Sequence, residues 1–220
     1  MPIAGKGMLL TSMDIDAADE ADFNRWYDHE HLEERVAIDG FLEARRYIAH
    51  QGSPKYLCLY STSTIDVLDS PAYKTRLANP TEWSKEVIAR FKNMIRAVAR
   101  ITIGRGNGRG AALGIIRLRP SSGSENKLRA SIRDAFNPQS LDGVISMHLI
   151  ESDPALSGPT KEISSAAGTG AGDWFVLIDG TDVNATSAAM AAHSDLFKSL
   201  AISTGIYRLM WDLSKGDIPA

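Results

Sequence analysis

Aromatic and ionisable side chains that could do chemistry together are concentrated in one stretch, Phe23-Asn24-Arg25-Trp26-Tyr27-Asp28-His29-Glu30-His31-Leu32-Glu33-Glu34-Arg35. At about 100° per residue in a helix, Phe23, Trp26, Tyr27, Glu30, His31 and Glu34 fall on one face, aromatic at one end and ionisable at the other. A stripe buried throughout would stay apolar, because an unpartnered buried carboxylate or imidazole is costly. Two readings are open: the helix runs from packed core into a polar cavity suited to a small molecule, or its Glu/His/Glu end projects into water. In the first, His31 is general acid or base, since an imidazole titrates nearest neutral pH. Glu30 or Glu34 would then orient it, and Trp26 and Tyr27 would pack the substrate.

Other chemistries find less support. His29 and His31 point about 200° apart on a helix, so they cannot share one metal ion, and neither an H-E-x-x-H motif nor another ligand spacing occurs. No metal site and no cofactor is expected on these grounds. No G-x-S-x-G is present for Ser/His/Asp catalysis, and Cys58, alone between apolar strand neighbours, reads as an inert core thiol.

The strands offer arginines. On the second, Phe41, Glu43, Arg45 and Tyr47 alternate on one face and Leu42, Ala44, Arg46 and Ile48 on the other. Tyr56, Cys58 and Tyr60 share a face of the third strand, and Arg96 and Arg100 a face of the fourth. A lumen lined by these Tyr and Arg side chains would suit an aromatic or enolic substrate bearing a carboxylate or phenolate, with Arg45 or Arg46 stabilising an enolate. Equally open is that the arginines pair with Glu30, Glu34 and Glu43 as structural salt bridges. His50, His148 and His193 read as structural or exposed, with His148 placed to face a lumen.

The elements that must position these groups recur. Met8 to Met13 reads as strand, the stretch above as helix with Asp16 as its cap, Phe41 to Ala49 and Tyr56 to Tyr60 as a hairpin through Gly52-Ser53-Pro54, Glu82 to Lys92 as helix behind Thr81, and Ile95 to Ile103 as strand. This is the βαββαβ order of a ferredoxin-like unit. After a glycine-rich linker at 105–110 the order repeats: Leu113 to Leu118, a helix Glu125 to Phe136, strands Val144 to Ile150 and Trp174 to Ile178, a helix from Val183 to about Leu200, and a strand Ile206 to Trp211. Each four-stranded sheet has helices on one face only, so each must cover the other's bare face. The expected architecture is therefore α+β: two tandem ferredoxin-like repeats forming an α+β barrel within one chain, with 1–104 carrying the site and 111–220 mostly scaffold. The Gly/Ser/Ala/Pro/Thr-rich stretch from Ser152 to Gly172 is either a disordered loop or a cover over one barrel mouth.

Composition bounds the partners. The 220 residues are 44% hydrophobic, enough for one sizeable core or two small ones, and the net charge of −3 with dispersed Lys and Arg argues against a nucleic-acid partner. A single cysteine rules out an intrachain disulfide. The opening residues lack the apolar core of a signal peptide, and no run approaches the ~18 apolar residues of a membrane span, so a cytoplasmic location is expected.

Phe23-x-x-Trp26-Tyr27-Asp28-x-Glu30-His31-Leu32, Gly40-Phe41-Leu42-x-Ala44-Arg45-Arg46-Tyr47 and Lys55-Tyr56-Leu57-x-Leu59-Tyr60 together resemble the EthD-like branch of the dimeric α+β barrel superfamily. Val67-Leu68-Asp69-Ser70-Pro71-x-Tyr73 and Asn79-Pro80-Thr81-x-Trp83 resemble an uncharacterised group within it; the second half matches in element order alone. The resemblance implies ferredoxin-like halves, a pocket, and a polar histidine at the position of His31. Glu33 stands where a proline is usual. Superfamily members include cofactor-independent quinol monooxygenases, muconolactone-type isomerases, aromatic polyketide-processing enzymes and haem enzymes, so fold alone selects no chemistry. The leading expectation is a metal-free proton-transfer enzyme acting on an aromatic or polyketide-like compound as isomerase, dehydratase or cofactor-free oxygenase. A non-catalytic ligand-binding or stress-associated barrel is second. A haem enzyme with His148 or His193 as proximal ligand is third. Homodimerisation through outer faces stays open.

Overall fold

The computed structural model describes residues 3–158 and 170–218. Eight strands, β1 (Gly7–Asp14), β2 (Phe41–Gln51), β3 (Tyr56–Thr62), β4 (Lys92–Gly106), β5 (Ala112–Leu118), β6 (Val144–Ser152), β7 (Trp174–Gly180) and β8 (Ala201–Ser214), close into one antiparallel barrel. Around it the order is β1-β3-β2-β8-β5-β7-β6-β4. Read by halves, β4-β1-β3-β2 and β8-β5-β7-β6 are the same arrangement, joined edge to edge by β2 with β8 and β4 with β6. Closure leaves no open sheet edge.

The alternation of each strand divides the core in three. Met8, Leu10, Tyr47, Leu57, Leu59, Phe175, Leu177 and Tyr207 fill the barrel interior. The outer face of the first half, with Leu9, Met13, Tyr56, Cys58, Tyr60 and Val98, is covered by α1 (Glu20–Trp26), a π turn (Tyr27–His31), α2 (Leu32–Val36), α3 (Pro71–Ala78) and α4 (Glu82–Ile88). The outer face of the second half is covered by α5 (Glu125–Ala135), α6 (Val183–Ala192) and α7 (Ser194–Phe197).

Several boundaries differ from expectation. Asp19, not Asp16, precedes α1; Asp16 ion-pairs with Lys92 at 2.6 Å. The expected linker starts too early, because β4 runs through Gly106 and pairs with β6. Its glycines are contact glycines: a Cβ on Gly106 (φ +88°) would lie 2.2 Å from the Ile145 carbonyl oxygen. β8 begins at Ala201, since pairing with β5 and β2 on its two sides enforces extension where apolar alternation is weak. Of the Ser152 to Gly172 stretch, 159–169 lies outside the described residues; its start is fixed, with Ser157 Oγ accepting from Val98 N at 3.0 Å.

Because β1 to β4 turn Met8, Leu10, Leu57, Leu59 and Ala97 toward the interior, residues 1–107 alone would bare that face. Such a fragment should self-associate or aggregate in sedimentation at micromolar concentration, as exposed apolar patches of more than a few hundred Å² are rarely tolerated. A monomeric fragment with a cooperative thermal transition would contradict the interior as the shared core of the two halves.

Candidate functional site

His31 owes its position to the π turn. The Leu32 N–H bonds the Tyr27 carbonyl, five residues back, which widens the helix by one residue. Residues five apart point about 140° apart on an α-helix, yet here the Trp26 and His31 rings stack at 4.0 Å and 29°. The wide turn thus carries His31 inward while Glu30 swings toward α4. Tyr27 contacts His31 edge-on at 5.1 Å, and Tyr60 does so at 6.2 Å.

These rings wall a narrow cleft between the helices and the outer face of the first sheet. Thr11, Tyr60 and Arg96 form its floor, Trp26, Tyr27, His31 and Arg35 one side, Tyr73 and Leu77 another, and Ile88, Phe91 and Met94 the last. Its volume is about 30 Å³, room for one or two water-sized molecules. His31 Nδ1, Tyr60 Oη and Thr11 Oγ1 are buried here without a hydrogen-bond partner in the protein. Most buried polar atoms are bonded, so these three gather unused hydrogen-bonding capacity on one cleft, with the Tyr27 hydroxyl close to those of Thr11 and Tyr60.

The electrostatics define their protonation. Burial, reinforced by the Arg35 and Arg46 charges, holds the His31 imidazole well below its usual pKa of 6.5, hence neutral. Burial, with the Cys58 thiol and Tyr27 beside it, pushes the Tyr60 phenol well above 10.0, hence protonated. A neutral base faces a proton donor across a cleft bordered by two arginines, a set able to take a proton and stabilise the resulting oxyanion. Burial likewise pushes Cys58 up to about 12, consistent with an inert thiol.

Among the expected site residues, the cleft brings together His31, Trp26, Tyr27, Tyr60 and Arg96. Arg96 also clamps the chain beyond β6, donating to the Leu156 carbonyl at 2.9 Å. The others lie elsewhere. Glu30 does not orient His31: its Oε1 accepts from Thr81 Oγ1 at 2.6 Å, Ser84 Oγ at 3.0 Å and Trp26 Nε1 at 3.2 Å, tying α4 to the π turn. Glu34 pairs with Arg76 at 3.1 Å, and burial raises its pKa. Tyr56 donates to Glu20 at 2.6 Å. Arg100 is exposed.

The two strand arginines face opposite ways, Arg46 to the helix side and Arg45 into the barrel interior beside Tyr47. A register shift between Phe41 and Glu43 turns Phe41 to the helix side with Ala44. Arg46 lies under α1, bonded to Asp28 at 2.9 Å and Asn24 at 2.5 Å, with the Tyr27 ring 4.3 Å from its guanidinium carbon. Arg45 enters the barrel, bonding Asp179 at 3.0 Å and the Gly110 carbonyl at 2.9 Å. Of the side chains expected to line a lumen, Tyr56, Tyr60, Arg46 and Arg96 therefore lie on the helix side, while the interior holds Arg45 with Asp179, Tyr47 and Tyr207 among apolar side chains and a cavity of about 20 Å³.

Thr11, Arg35 and Tyr73 escaped sequence reasoning. Strand alternation places Thr11 with Leu9 and Met13, a signal present in Leu9-Leu10-Thr11-Ser12-Met13 but visible only once the helix-facing side is known to hold the cleft.

The two histidines suggested for haem lie apart from the cleft. His193 has Nδ1 2.8 Å from the Ala189 carbonyl oxygen and Nε2 3.3 Å from that of Ala135, and the tautomer decides which of the two accepts its single N–H. His148 is 1% exposed inside the barrel, packed against Gly104. A groove of about 520 Å³ between α6, α7 and β8 contains no histidine. Among the described residues no group of His, Cys, Asp and Glu could hold a metal, and no helix is long and apolar enough to cross a membrane.

Both buried histidines are held neutral, chiefly by burial. Below 6.5 the unfolded chain binds protons that the folded chain refuses, so their contribution is present above pH 6.5 and lost as pH falls. The thermal midpoint should therefore decline between about pH 7 and pH 5, less steeply in His31→Gln. Equal slopes for the two proteins would contradict a neutral, buried His31.

No protein-family model and no curated sequence matches the chain. Solved structures do. An anthrone oxidase-like protein superposes with a TM-score of 0.66 at 9% identity, covering 100% of this chain and 98% of that one. A putative monooxygenase from Lactobacillus acidophilus gives 0.57 at 9% identity, covering 98% and 99%, and a putative chlorite dismutase gives 0.54 at 12% identity, covering 97% of each. At such identities the likeness is one of fold: this chain is an α+β barrel of ferredoxin-like halves, as they are.

Proposed function

We propose that this chain is a cytoplasmic small-molecule enzyme of the EthD-like branch, acting on an aromatic or polyketide-like compound by metal-free proton transfer, as isomerase, dehydratase or cofactor-free oxygenase. The observation that carries the reading is the neutral His31 imidazole, its Nδ1 unpartnered, buried against a narrow cleft with the unpartnered hydroxyls of Tyr60 and Thr11. His31 takes a proton from an acidic C–H or O–H of the substrate. Tyr60 and Thr11 hydrogen-bond the oxygen on which charge develops, and Arg96 supplies positive field beside it. Trp26 holds the imidazole by stacking, in place of the carboxylate expected from sequence. The anthrone oxidase-like and monooxygenase-like neighbours add support for an aromatic substrate and for the oxygenase form of the reaction.

The test is hydrogen exchange. Enolisable aromatic ketones and hydroxyarenes incubated with the protein in D2O should gain deuterium at the acidic position, read by NMR, and His31→Gln should abolish the gain. Because the imidazole pKa lies below 6.5, the rate should stay on its plateau as pH falls through 6.5 and decline only at lower pH. A profile that falls with a midpoint near 6.5 would place the base in water, not in the cleft.

One observation favours a second reading, a non-catalytic binding barrel: the cleft as it stands admits no aromatic ring. Thermal stabilisation by a panel compound without any His31-dependent exchange would select it.

A further inference from the structure

A cleft of about 30 Å³ is too narrow for a ring-sized molecule to reach His31 unaided, and a second cavity adjoins it. At one mouth of the barrel lies an open vestibule of about 510 Å³. Ser53, Asn93, Arg117 and Ser203 give it polar edges, and Ile202, one of two large apolar side chains left exposed among the described residues, stands on its rim. The vestibule and the His31 cleft share two lining residues, Phe91 and Met94. These side chains stand between an open chamber large enough for an aromatic molecule and a narrow one that holds the orphaned polar atoms.

Phe91 follows α4 and Met94 lies three residues on, at the start of β4; neither side chain carries an N–H or an oxygen, so moving them costs packing but no conventional side-chain hydrogen bond. The Phe91 ring lies edge-on to Trp26 at 6.1 Å and to Phe23 at 5.8 Å, so it borders the ring that stacks on His31. Between them Asn93 has φ +50°, a left-handed conformation that asparagine tolerates better than most residues, and its side chain, bonded to Asp14 at 2.8 Å, anchors the segment.

We propose that the barrel-mouth vestibule is the outer half of the substrate site and that Phe91 and Met94 are the gate through which a flat, largely apolar molecule with hydroxyl or carbonyl substituents passes to His31. This rests on the assignment of the cleft as the site of chemistry, but its test needs no turnover. A reporter thiol is placed in the cleft as Thr11→Cys in a Cys58→Ser background, and its modification by methyl methanethiosulfonate is timed by mass spectrometry. Phe91→Ala should speed labelling by roughly tenfold, because the reagent no longer waits for the wall to open. Leu77→Ala, on the α3 side of the same cleft, should leave the rate unchanged. Should Phe91→Ala fail to fold, Ser203→Trp at the exposed vestibule rim replaces it and should slow labelling severalfold.

Faster labelling in Leu77→Ala with none in Phe91→Ala, equal acceleration by both, or indifference to Ser203→Trp would each overturn the route. Labelling that obeys the gate in a protein showing no His31-dependent exchange would instead retain the route and remove the proton-transfer reading.

Discussion

Replacing His31 by glutamine should leave a folded protein whose turnover falls by about 10²–10⁴, the usual share of a general base. Stability should hardly move. The Nδ1 atom has no hydrogen bond to lose, and what disappears is the stacking on Trp26, roughly 0.5–1.5 kcal/mol. Phe23→Ala is the control: fully buried between Tyr27, Tyr56 and Phe91, that ring should cost about 3–5 kcal/mol in denaturant titration. If His31→Gln destabilises as much as Phe23→Ala, the imidazole is a structural strut and the binding-or-scaffold reading takes over.

Asp179→Ala should be among the most destabilising single changes in the molecule. Its carboxylate, 0% exposed, is the ion-pair partner that Arg45 meets inside the barrel, and it also accepts from Ser146 Oγ at 3.3 Å and Gly110 N at 3.3 Å. Removing it strands a guanidinium that is 4% exposed and lies 5.3 Å from the Tyr47 ring centroid, a loss of about 3–5 kcal/mol. Because Arg45 belongs to the first half and Asp179 to the second, the loss should appear as a single weakened transition for the whole barrel. The double variant Arg45→Met, Asp179→Ala should recover much of it, since no charge is then left buried alone. A single variant within about 1 kcal/mol of the parent would mean that water reaches Arg45.

The expected element order and the closed barrel hold because they rest on local signals that burial enforces everywhere. Period-two alternation in Met8 to Met13 and Tyr56 to Tyr60, and Thr81 capping α4 by accepting from Ser84 N at 3.0 Å, can be read from neighbouring residues alone. The aromatic-to-ionisable face of the opening helix was equally legible, and the cleft does contain Trp26, Tyr27 and His31. Period also told which strand residues share a face, apart from Phe41, which the register shift moved.

What sequence could not supply was which face of the first sheet would hold the cavity. Alternation is symmetric with respect to inside and outside, so it groups Tyr60 and Arg96 with their strand neighbours without telling that their faces, and that of Thr11, border the helices rather than the lumen. Nor could spacing give Glu30 its true partners. A π turn is one extra residue in a helix, invisible to a pattern of period 3.6, and it turned Glu30 to Thr81 and Ser84 while bringing His31 onto Trp26. The sequence by itself determined the α+β class and the repeated strand order, and it put His31, Trp26 and Tyr27 on one helix face. Only tertiary structure decided that Arg45 is spent on Asp179, that Arg46 is buried under α1, and that His31 is neutral, because burial and the charges of Arg35 and Arg46 act through space between segments that the chain order keeps apart.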